Sequence, residues 1–346
     1  MKQLPLLLIG DTSEPWAVGS KLMRGANSLG LQSVRDVQVN YTSPSCQFSP
    51  SMSRISGKVF YRLADRRSWE WWGFQRQLLT QISQLKPKLI IVTGILPLKS
   101  YIFEEIRKQG GLICNYLTDD PWSPGNYRRC FIRNLSHYDH IFSTKEAVRR
   151  DLKKAGIFTN SWLPQAYDPA IHHPPKQKSA LPGADVVFIG TGATERLPWL
   201  ESLKDLPGLV RRIHGNNWGG FSTPGWERRS AATGEDYCRA IDNASIVLGL
   251  LRQSSRDLAT DRSYEIGAIG GCGLYQDSNE HRELLPHYPE EGFFNSPKQL
   301  RERVQNLIDN PALRKQLRRL GAEALRRPEH TYGARLKTML NWSGQW

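Results

Sequence analysis

Short apolar runs alternate with amphipathic stretches along most of the chain. Continuous Val, Ile and Leu runs at Leu4–Gly10, Lys88–Thr93 and Asp185–Ile189 are typical of buried parallel strands. Stretches with helical spacing, such as Ala17–Leu29 and Tyr101–Gln109, lie between such runs. The alternation predicts an α/β fold in which parallel sheets are covered by helices on both faces, as in doubly wound, Rossmann-like domains.

One proline-rich segment interrupts this alternation, and its five prolines disfavour a helix or a strand there. The chain of 346 residues is long enough for two domains. We therefore predict an N-terminal domain over residues 1–163, a linker over 164–182 and a C-terminal domain over 183–346 that ends in helices. Ser296 before Pro297 predicts the start of one of these helices. A ligand is expected at the carboxyl ends of the strands, in a cleft between the two domains.

The composition excludes several classes of protein. No apolar run reaches the roughly 18 residues that a membrane-spanning helix needs. The five cysteines are scattered without a Cys-x-x-Cys pair, so neither a disulfide framework nor a zinc site is expected. No other cluster has the spacing of metal ligands. We expect a cytoplasmic protein that uses neither a metal ion nor an organic cofactor.

Positive charge is concentrated in the first half of the chain. The net charge is +14, and residues 1–165 carry 23 Lys and Arg against 12 Asp and Glu, whereas residues 166–346 carry 24 against 21. This asymmetry predicts an anionic partner for the first domain, which is a phosphorylated acceptor, a membrane surface or a nucleic acid. Solvated helix faces explain the same counts equally well.

A cluster of aromatic residues lies in this basic half. The segment Ser68–Phe74 contains three tryptophans and is flanked by Arg66, Arg67 and Arg76. Aromatic faces of this kind stack on sugars and on bases, but the same residues also suit a helix packed against a sheet. Nucleic acid is the weakest of these interpretations, because no RRM, KH, helix-turn-helix or zinc-finger signature is present.

A glycine-rich turn follows the strand predicted at Asp185–Ile189. In Gly190-Thr191-Gly192 the glycines allow backbone N–H groups to approach a phosphate, and Arg196 in the next helix is placed to neutralise it. Glu195 stands where a dinucleotide fingerprint requires its third glycine, so that fingerprint is not met. The turn predicts a general phosphate cradle, although an ordinary strand–helix turn has the same pattern.

A second dense segment lies at Asp261–Tyr275. Arg262 and Glu265 are three residues apart, so they share one face near the start of a helix that the following Gly-Gly pair ends. A carboxylate and an arginine at this place suit ribose hydroxyls and a phosphate, or they form an ion pair within the helix. Gly215, in the turn after another strand, is expected either to contact a nucleotide base or to form only a tight turn.

The order and spacing of these motifs resemble the group 1 glycosyltransferases, specifically their CgeB-type, spore-maturation-like branch. The matching segments are Asn115–Trp122, Phe188–Gly192 with Arg196, Leu248–Arg252, Arg262-x-x-Glu265 with Gly270-Gly271, Glu280–Leu284 and His330–Arg335. The resemblance implies a GT-B fold of two Rossmann-like domains. It also implies a nucleoside-diphosphate sugar held mainly by the second domain, and transfer of its glycosyl group to an acceptor hydroxyl without a metal ion.

The resemblance further implies roles for single residues. Glu265 takes the position of the glutamate that holds the donor ribose, and Arg196 and Arg262 take those of diphosphate ligands. Asp257 stands where relatives have the glutamate that contacts the sugar, so this shorter carboxylate departs from the family pattern. The departure keeps open a second class of function, a non-catalytic protein that binds a nucleotide sugar or a glycan.

An inverting transferase needs a general base within hydrogen-bond reach of the acceptor hydroxyl. The candidates are Asp11, after the first strand, and the adjacent Asp119 and Asp120 in a Thr-Asp-Asp-Pro loop. Adjacent side chains point in different directions, so we expect one of these two aspartates to brace the following turn. A retaining enzyme does not require this base, and the sequence leaves both outcomes open.

Overall fold

The computed structural model describes residues 5–38, 65, 72–177 and 183–346. The chain divides into two compact units. The N-terminal unit comprises Met1–Pro164 together with Arg335–Trp346, and the C-terminal unit comprises Gln165–Ala334. Each unit is built around its own sheet, in agreement with the predicted two-domain α/β fold.

The N-terminal unit contains a parallel sheet of six described strands in the order β2-β1-β3-β4-β5-β6. The strands are β1 (Leu6–Gly10), β2 (Val34–Gln38), β3 (Leu89–Thr93), β4 (Leu112–Leu117), β5 (His140–Ser143) and β6 (Asn160–Trp162). The described helices are α1 (Val18–Ser28), α2 (Trp72–Leu85), α3 (Ser100–Lys108), α4 (Arg129–Arg133), α5 (Glu146–Lys154) and most of α12 (Tyr332–Trp342).

Strands β1 and β3 are buried along their whole length, as their continuous apolar sequence predicts. They pair in register, with Leu8 opposite Ile91, and β4 lies on the other side of β3. Because the strands are parallel, their carboxyl ends lie at one edge of the sheet. Asp11, after β1, and Asp119, after β4, therefore belong to the same edge.

The C-terminal unit also contains a parallel sheet of six strands among its described residues, in the order β12-β11-β10-β7-β8-β9. The strands are β7 (Ala184–Ile189), β8 (Arg211–His214), β9 (Glu227–Arg229), β10 (Ala244–Gly249), β11 (Gly273–Gln276) and β12 (Phe293–Phe294). The helices are α6 (Leu197–Glu201), α7 (Gly234–Asp242), α8 (Asp261–Ile269), α9 (Asn279–Leu284), α10 (Pro297–Asp309) and α11 (Pro311–Leu325).

Local sequence signals set the ends of these helices. Ser296 caps α10, and its hydroxyl accepts from the backbone N–H of Gln299 at 3.2 Å, as predicted. Helix α8 begins with a capping box formed by Thr260 and Ser263. It ends at Gly270, whose φ of 101° lies in the left-handed region that glycine adopts without strain.

The structure differs from the prediction where strands are short or polar. Strand β9 has the sequence Glu-Arg-Arg and is fully exposed, and β2 mixes valines with charged residues, so neither carries an apolar run.

The division between units also differs from the prediction, because residues from 165 onward join the C-terminal unit and Arg335–Trp346 join the N-terminal unit. Sequence periodicity carries no information about which unit a terminal helix packs against.

The aromatic cluster of the basic half lies mostly outside the described residues, since only its last three positions, Trp72–Phe74, belong to α2. The hypothesis that it contacts a sugar or a base therefore stays a prediction.

Over the described ranges, no helix combines the length and the apolar character needed to cross a bilayer.

Helices α8 and α11 pack closely at Gly267, and this contact yields a prediction. A Cβ atom at Gly267 would lie 2.4 Å from Leu325 Cδ1 and 2.7 Å from the backbone oxygen of Gly321. We expect Gly267→Ala to lower the free energy of unfolding by about 1–3 kcal/mol through overpacking, measured by chemical denaturation. Gly219→Ala is the matched control, because nothing lies within 4 Å of its added Cβ. Equal stability of the two variants would contradict the close packing.

Candidate functional site

Two loops meet at the carboxyl edge of the second sheet, one after β7 and one after β8. The backbone N–H of Gly190 donates to the oxygen of His214 at 2.9 Å, and that of Gly192 donates to the oxygen of Asn216 at 2.8 Å. A Cβ atom at Gly215 would lie 2.0 Å from the oxygen of Gly190, and one at Gly192 would lie 2.3 Å from that of Asn217. The glycines are required because the two loops touch backbone to backbone.

This arrangement corrects the predicted phosphate cradle. The N–H groups of Gly190 and Gly192 already bond to the neighbouring loop, so they do not offer two donors to a phosphate. Gly215 also allows the two loops to approach each other. Thr191 is exposed, and its backbone oxygen accepts from Arg196. The loop therefore contributes to the site through the arginine that it positions.

Arg196 lies at the end of the 3-10 turn Thr194–Arg196 and is only 8% exposed. One guanidinium nitrogen donates to the oxygen of Thr191, and the guanidinium carbon is 5.1 Å from the centre of the Phe188 ring. Its Nε atom is buried and has no hydrogen-bond partner within the described part of the chain. Leaving a buried N–H of this kind without an acceptor is costly, and an oxygen of a bound anion would satisfy it.

Arg252 reaches the same region from the turn after β10. Its Nε donates to the carboxylate of Asp257 at 3.0 Å, and the side chain of Asp257 is almost fully buried. Glu195 accepts from both the backbone N–H and the hydroxyl of Ser254 in this turn, each at 2.9 Å. The residue that breaks the dinucleotide fingerprint thus joins the loop after β7 to the turn that carries Arg252.

The third arginine stands on the first turn of α8. Arg262 donates to Glu265 at 2.5 Å, and its guanidinium carbon is 4.9 Å from the centre of the Tyr237 ring. Glu265 is 1% exposed, and it also accepts from the hydroxyl of Tyr237 at 2.7 Å and faces His172 Nε2 at 3.2 Å. The predicted sharing of one helix face by Arg262 and Glu265 is confirmed.

These arginines influence one another. Burial, followed by the nearby charges of Arg252 and Arg262, lowers the pKa of Arg196 to about 10, although Glu195 and Asp257 act in the opposite direction. Burial also works against the charge of Arg262, but Tyr237, Glu265 and Asp261 outweigh it and raise the pKa of that group. Three guanidinium groups therefore share the edge of the second sheet with four carboxylates, those of Glu195, Asp257, Asp261 and Glu265. Guanidinium groups offer N–H donors in a geometry that phosphate oxygens accept.

The other predicted aspartates lie in the N-terminal unit. Asp11 accepts from the backbone N–H of Ser13 at 3.0 Å and from its hydroxyl at 2.6 Å, which is an Asx turn. Asp120 is buried and accepts from the backbone N–H of Trp122 at 3.0 Å. Of the adjacent pair it is therefore Asp120 that braces the turn, and Asp119 is the more exposed partner.

Sequence reasoning missed three residues of the site. Arg252 belongs to a segment that carries the family resemblance, and its position just after a strand is the signal that would have identified it. Tyr237 and His172 contact Glu265 from distant parts of the chain, and no spacing in the sequence announces them. Within the ranges that the structure describes, no group of three or more His, Cys, Asp or Glu side chains is arranged to hold a metal ion.

The C-terminal part of the chain matches a known family model. Residues 196–341 match the model described as "Glycosyl transferase-like", which includes Arg196, Arg252, Asp257, Arg262 and Glu265. This match confirms the predicted enzyme class, a glycosyltransferase. No curated protein sequence matches the chain significantly.

Solved structures share the fold over nearly the whole chain. Sucrose-phosphate synthase from Thermosynechococcus elongatus superposes with a TM-score of 0.67 at 12% identity, covering 99% of each chain. A UDP co-structure of S. aureus MnaA gives 0.58 at 12% identity, covering 100% of this chain and 98% of that one. A DNA-modifying β-glucosyltransferase, studied with and without uridine diphosphoglucose, gives 0.61 at 12% identity, covering 98% and 99%. The fold is that of the GT-B glycosyltransferases, as predicted.

The lowered pKa of the buried Arg196 gives a second prediction, which concerns the stability of the ligand-free protein. Lowering its pKa to about 10 corresponds to about 3 kcal/mol of destabilisation at neutral pH. Removing the charge in Arg196→Met should leave the ligand-free melting temperature unchanged or higher, measured by calorimetry.

Arg211→Met is the matched control, because Arg211 is equally buried but donates to the backbone oxygens of Leu203, Leu206 and Gly225. We expect this control to lose about 2 kcal/mol or more, since three acceptors lose their donor. A melting temperature that falls as far in Arg196→Met as in Arg211→Met would show that Arg196 is a structural residue only.

Proposed function

We propose that the chain is a glycosyltransferase of the CgeB-type branch that uses a nucleoside-diphosphate sugar and needs no metal ion. The observation that carries the proposal is the group of three arginines, Arg196, Arg252 and Arg262, at the carboxyl edge of the second sheet. Two of them have a buried Nε without a partner among the described residues, and burial, followed by the charge of Arg252, lowers the pKa of Arg196. A bound diphosphate would supply acceptors for these two Nε atoms.

The arginines also suit the chemistry of the leaving group. In glycosyl transfer the acceptor oxygen forms a bond to the anomeric carbon while the bond from that carbon to the diphosphate oxygen breaks. The electron pair of the broken bond passes to the nucleoside diphosphate, whose negative charge grows in the transition state. Fixed guanidinium groups at that position stabilise the developing charge without a metal ion.

The proton of the acceptor hydroxyl needs a recipient if the reaction inverts the anomeric centre. Asp11 and Asp119 follow strands of the first sheet and are the proposed general bases, whereas Asp120 is committed to its turn. Asp257 is buried against Arg252, so its proposed contribution to donor binding passes through that arginine. A retaining reaction would use neither Asp11 nor Asp119 in this way.

The acceptor is proposed to be anionic or located at a membrane surface, on the ground of the positive charge in the first half. Nucleic acid is not favoured as the anionic partner. The described cysteines, Cys114, Cys130, Cys238 and Cys272, are all free thiols, which supports the proposed cytoplasmic location.

Nucleotide binding tests the proposal directly. We expect one of UDP, GDP, dTDP, ADP and CMP to raise the melting temperature in the presence of EDTA, and the same nucleotide to be released from its sugar conjugate. Because UDP appears in the S. aureus MnaA co-structure, it is the first probe. Arg196→Met should weaken the diphosphate by about tenfold more than the corresponding monophosphate, measured by titration calorimetry.

Three results would contradict parts of this proposal. Equal losses for the diphosphate and the monophosphate would exclude Arg196 as a diphosphate ligand. Binding that appears only after Mn²⁺ or Mg²⁺ is added would refute metal independence. Selective binding without release of nucleoside diphosphate, with any acceptor tried, would favour a non-catalytic nucleotide-sugar or glycan-binding protein.

The two proposed bases are tested separately. For an inverting enzyme, Asp11→Asn or Asp119→Asn should lower kcat by about 10²–10⁴-fold while nucleotide affinity stays unchanged. Asp120→Asn is the control, and it should act through stability because its carboxylate braces the turn. Full activity in both Asp11→Asn and Asp119→Asn would exclude both as the base.

A further inference from the structure

The imidazole of His281 in α9 is buried between the end of β11 and the start of α8, and it is 0% exposed. Its Nδ1 lies 2.7 Å from the backbone oxygen of Gln276, the last residue of β11. Its Nε2 lies 2.6 Å from the hydroxyl oxygen of Ser263 in the first turn of α8. Because a carbonyl oxygen can only accept, Nδ1 carries the ring proton and Nε2 accepts from the serine hydroxyl.

The ring of His281 is neutral at neutral pH, and this preserves the direction of both hydrogen bonds. Burial lowers its pKa to about 4, although the hydrogen bond to Gln276 and the charge of Asp277 act in the opposite direction. The hydroxyl of Ser263 donates to the ring, and its oxygen accepts from the backbone N–H of Thr260 at 2.9 Å. This last bond belongs to the capping box of α8, so the imidazole fixes the hydroxyl on which the cap depends.

Gln276 extends this chain of hydrogen bonds to the turn after β10. Its side-chain oxygen accepts from the backbone N–H of Leu251 at 3.1 Å. Leu251 directly precedes Arg252 in the chain. At the other end of the hydrogen-bonded chain, Ser263 directly follows Arg262. The buried imidazole therefore joins the two main-chain segments from which these arginines leave.

Ser278, the N-cap of α9, adds a second connection to the same region. Its hydroxyl accepts from the backbone N–H of His281 at 3.1 Å and donates to the backbone oxygen of Leu258. Leu258 follows Asp257, whose carboxylate holds Arg252. The start of α9 thus braces the segment between the two arginines in its middle as well as at its ends.

We propose that His281 is a positioning residue of the donor site and sets the spacing of Arg252 and Arg262. The inference rests on the proposed function, in which these guanidinium groups bind one diphosphate. The imidazole has no exposed surface to offer a ligand, so it acts through Ser263 and Gln276. Two guanidinium groups bind two linked phosphates together only when their separation is fixed. A single phosphate needs one of them and is less sensitive to the spacing.

The affinities for inorganic pyrophosphate and inorganic phosphate test this inference. Titration calorimetry is carried out on the full chain as wild type, Ser263→Ala, Gln276→Met and His281→Phe, well below the melting temperature of each variant. We expect each substitution to weaken pyrophosphate by about tenfold and phosphate by less than about threefold. A role in stability alone would lower the melting temperature and leave both affinities unchanged in the folded protein.

Ser161→Ala is the matched control. The hydroxyl of Ser161 lies 2.8 Å from Nε2 of His140 in the N-terminal unit. Burial, followed by the charge of Arg149, lowers the pKa of His140 to about 4, so this pair repeats the chemistry of Ser263 and His281 in the other unit. We expect Ser161→Ala to leave both affinities unchanged.

The possible failures of the inference and of the proposed function are distinguishable. Unchanged pyrophosphate affinity in Ser263→Ala and Gln276→Met would overturn the inference and spare the proposed function. Equal losses for pyrophosphate and phosphate would also overturn it, because the spacing of the arginines would then not be what changed. A wild-type protein that binds neither pyrophosphate nor any nucleoside diphosphate would overturn the proposed function, and this inference with it.

Discussion

The group of three arginines at the carboxyl edge of the second sheet is the constraint on which the arrangement of this edge depends. Two of its arginines are oriented by buried carboxylates, Arg252 by Asp257 and Arg262 by Glu265. Arg196 instead bonds to a backbone oxygen and is buried beside the other two, which lowers its pKa to about 10. A charge held in this way is costly to the protein alone, which supports the proposal that it serves to bind an anion.

The loops that carry these arginines depend on close backbone contacts. Gly192 and Gly215 allow the loops after β7 and β8 to touch, and Glu195 attaches the first loop to the turn around Ser254. The loop that carries Arg196 and the turn that follows Arg252 are therefore joined by hydrogen bonds. Preorganisation of this kind matters because a guanidinium that must first be ordered loses much of its binding energy to entropy.

The parts of the molecule that could be predicted from sequence are those governed by local geometry. Parallel strands appear as continuous apolar runs, α10 starts at its Ser-Pro cap, and the three-residue spacing of Arg262 and Glu265 places them together on one turn. The remaining features depend on tertiary contacts. The partnership of His172 with Glu265 joins residues far apart in the chain, and β9 is a strand only because its neighbour β8 offers an edge. No local pattern encodes such contacts.

The glycine-rich turn shows why a motif alone did not determine the site. In a dinucleotide fingerprint, glycines expose backbone N–H groups to a phosphate. Here the N–H groups of Gly190 and Gly192 bond to the next loop, and Glu195 occupies the place of the third glycine. In the proposed donor site, arginine side chains therefore take the place of these backbone N–H groups. An arginine carries a full charge, whereas an N–H group is only a dipole, but the arginine side chain has more conformational freedom. Buried carboxylates that are themselves held in place, as Glu265 is by Tyr237, restrict that freedom.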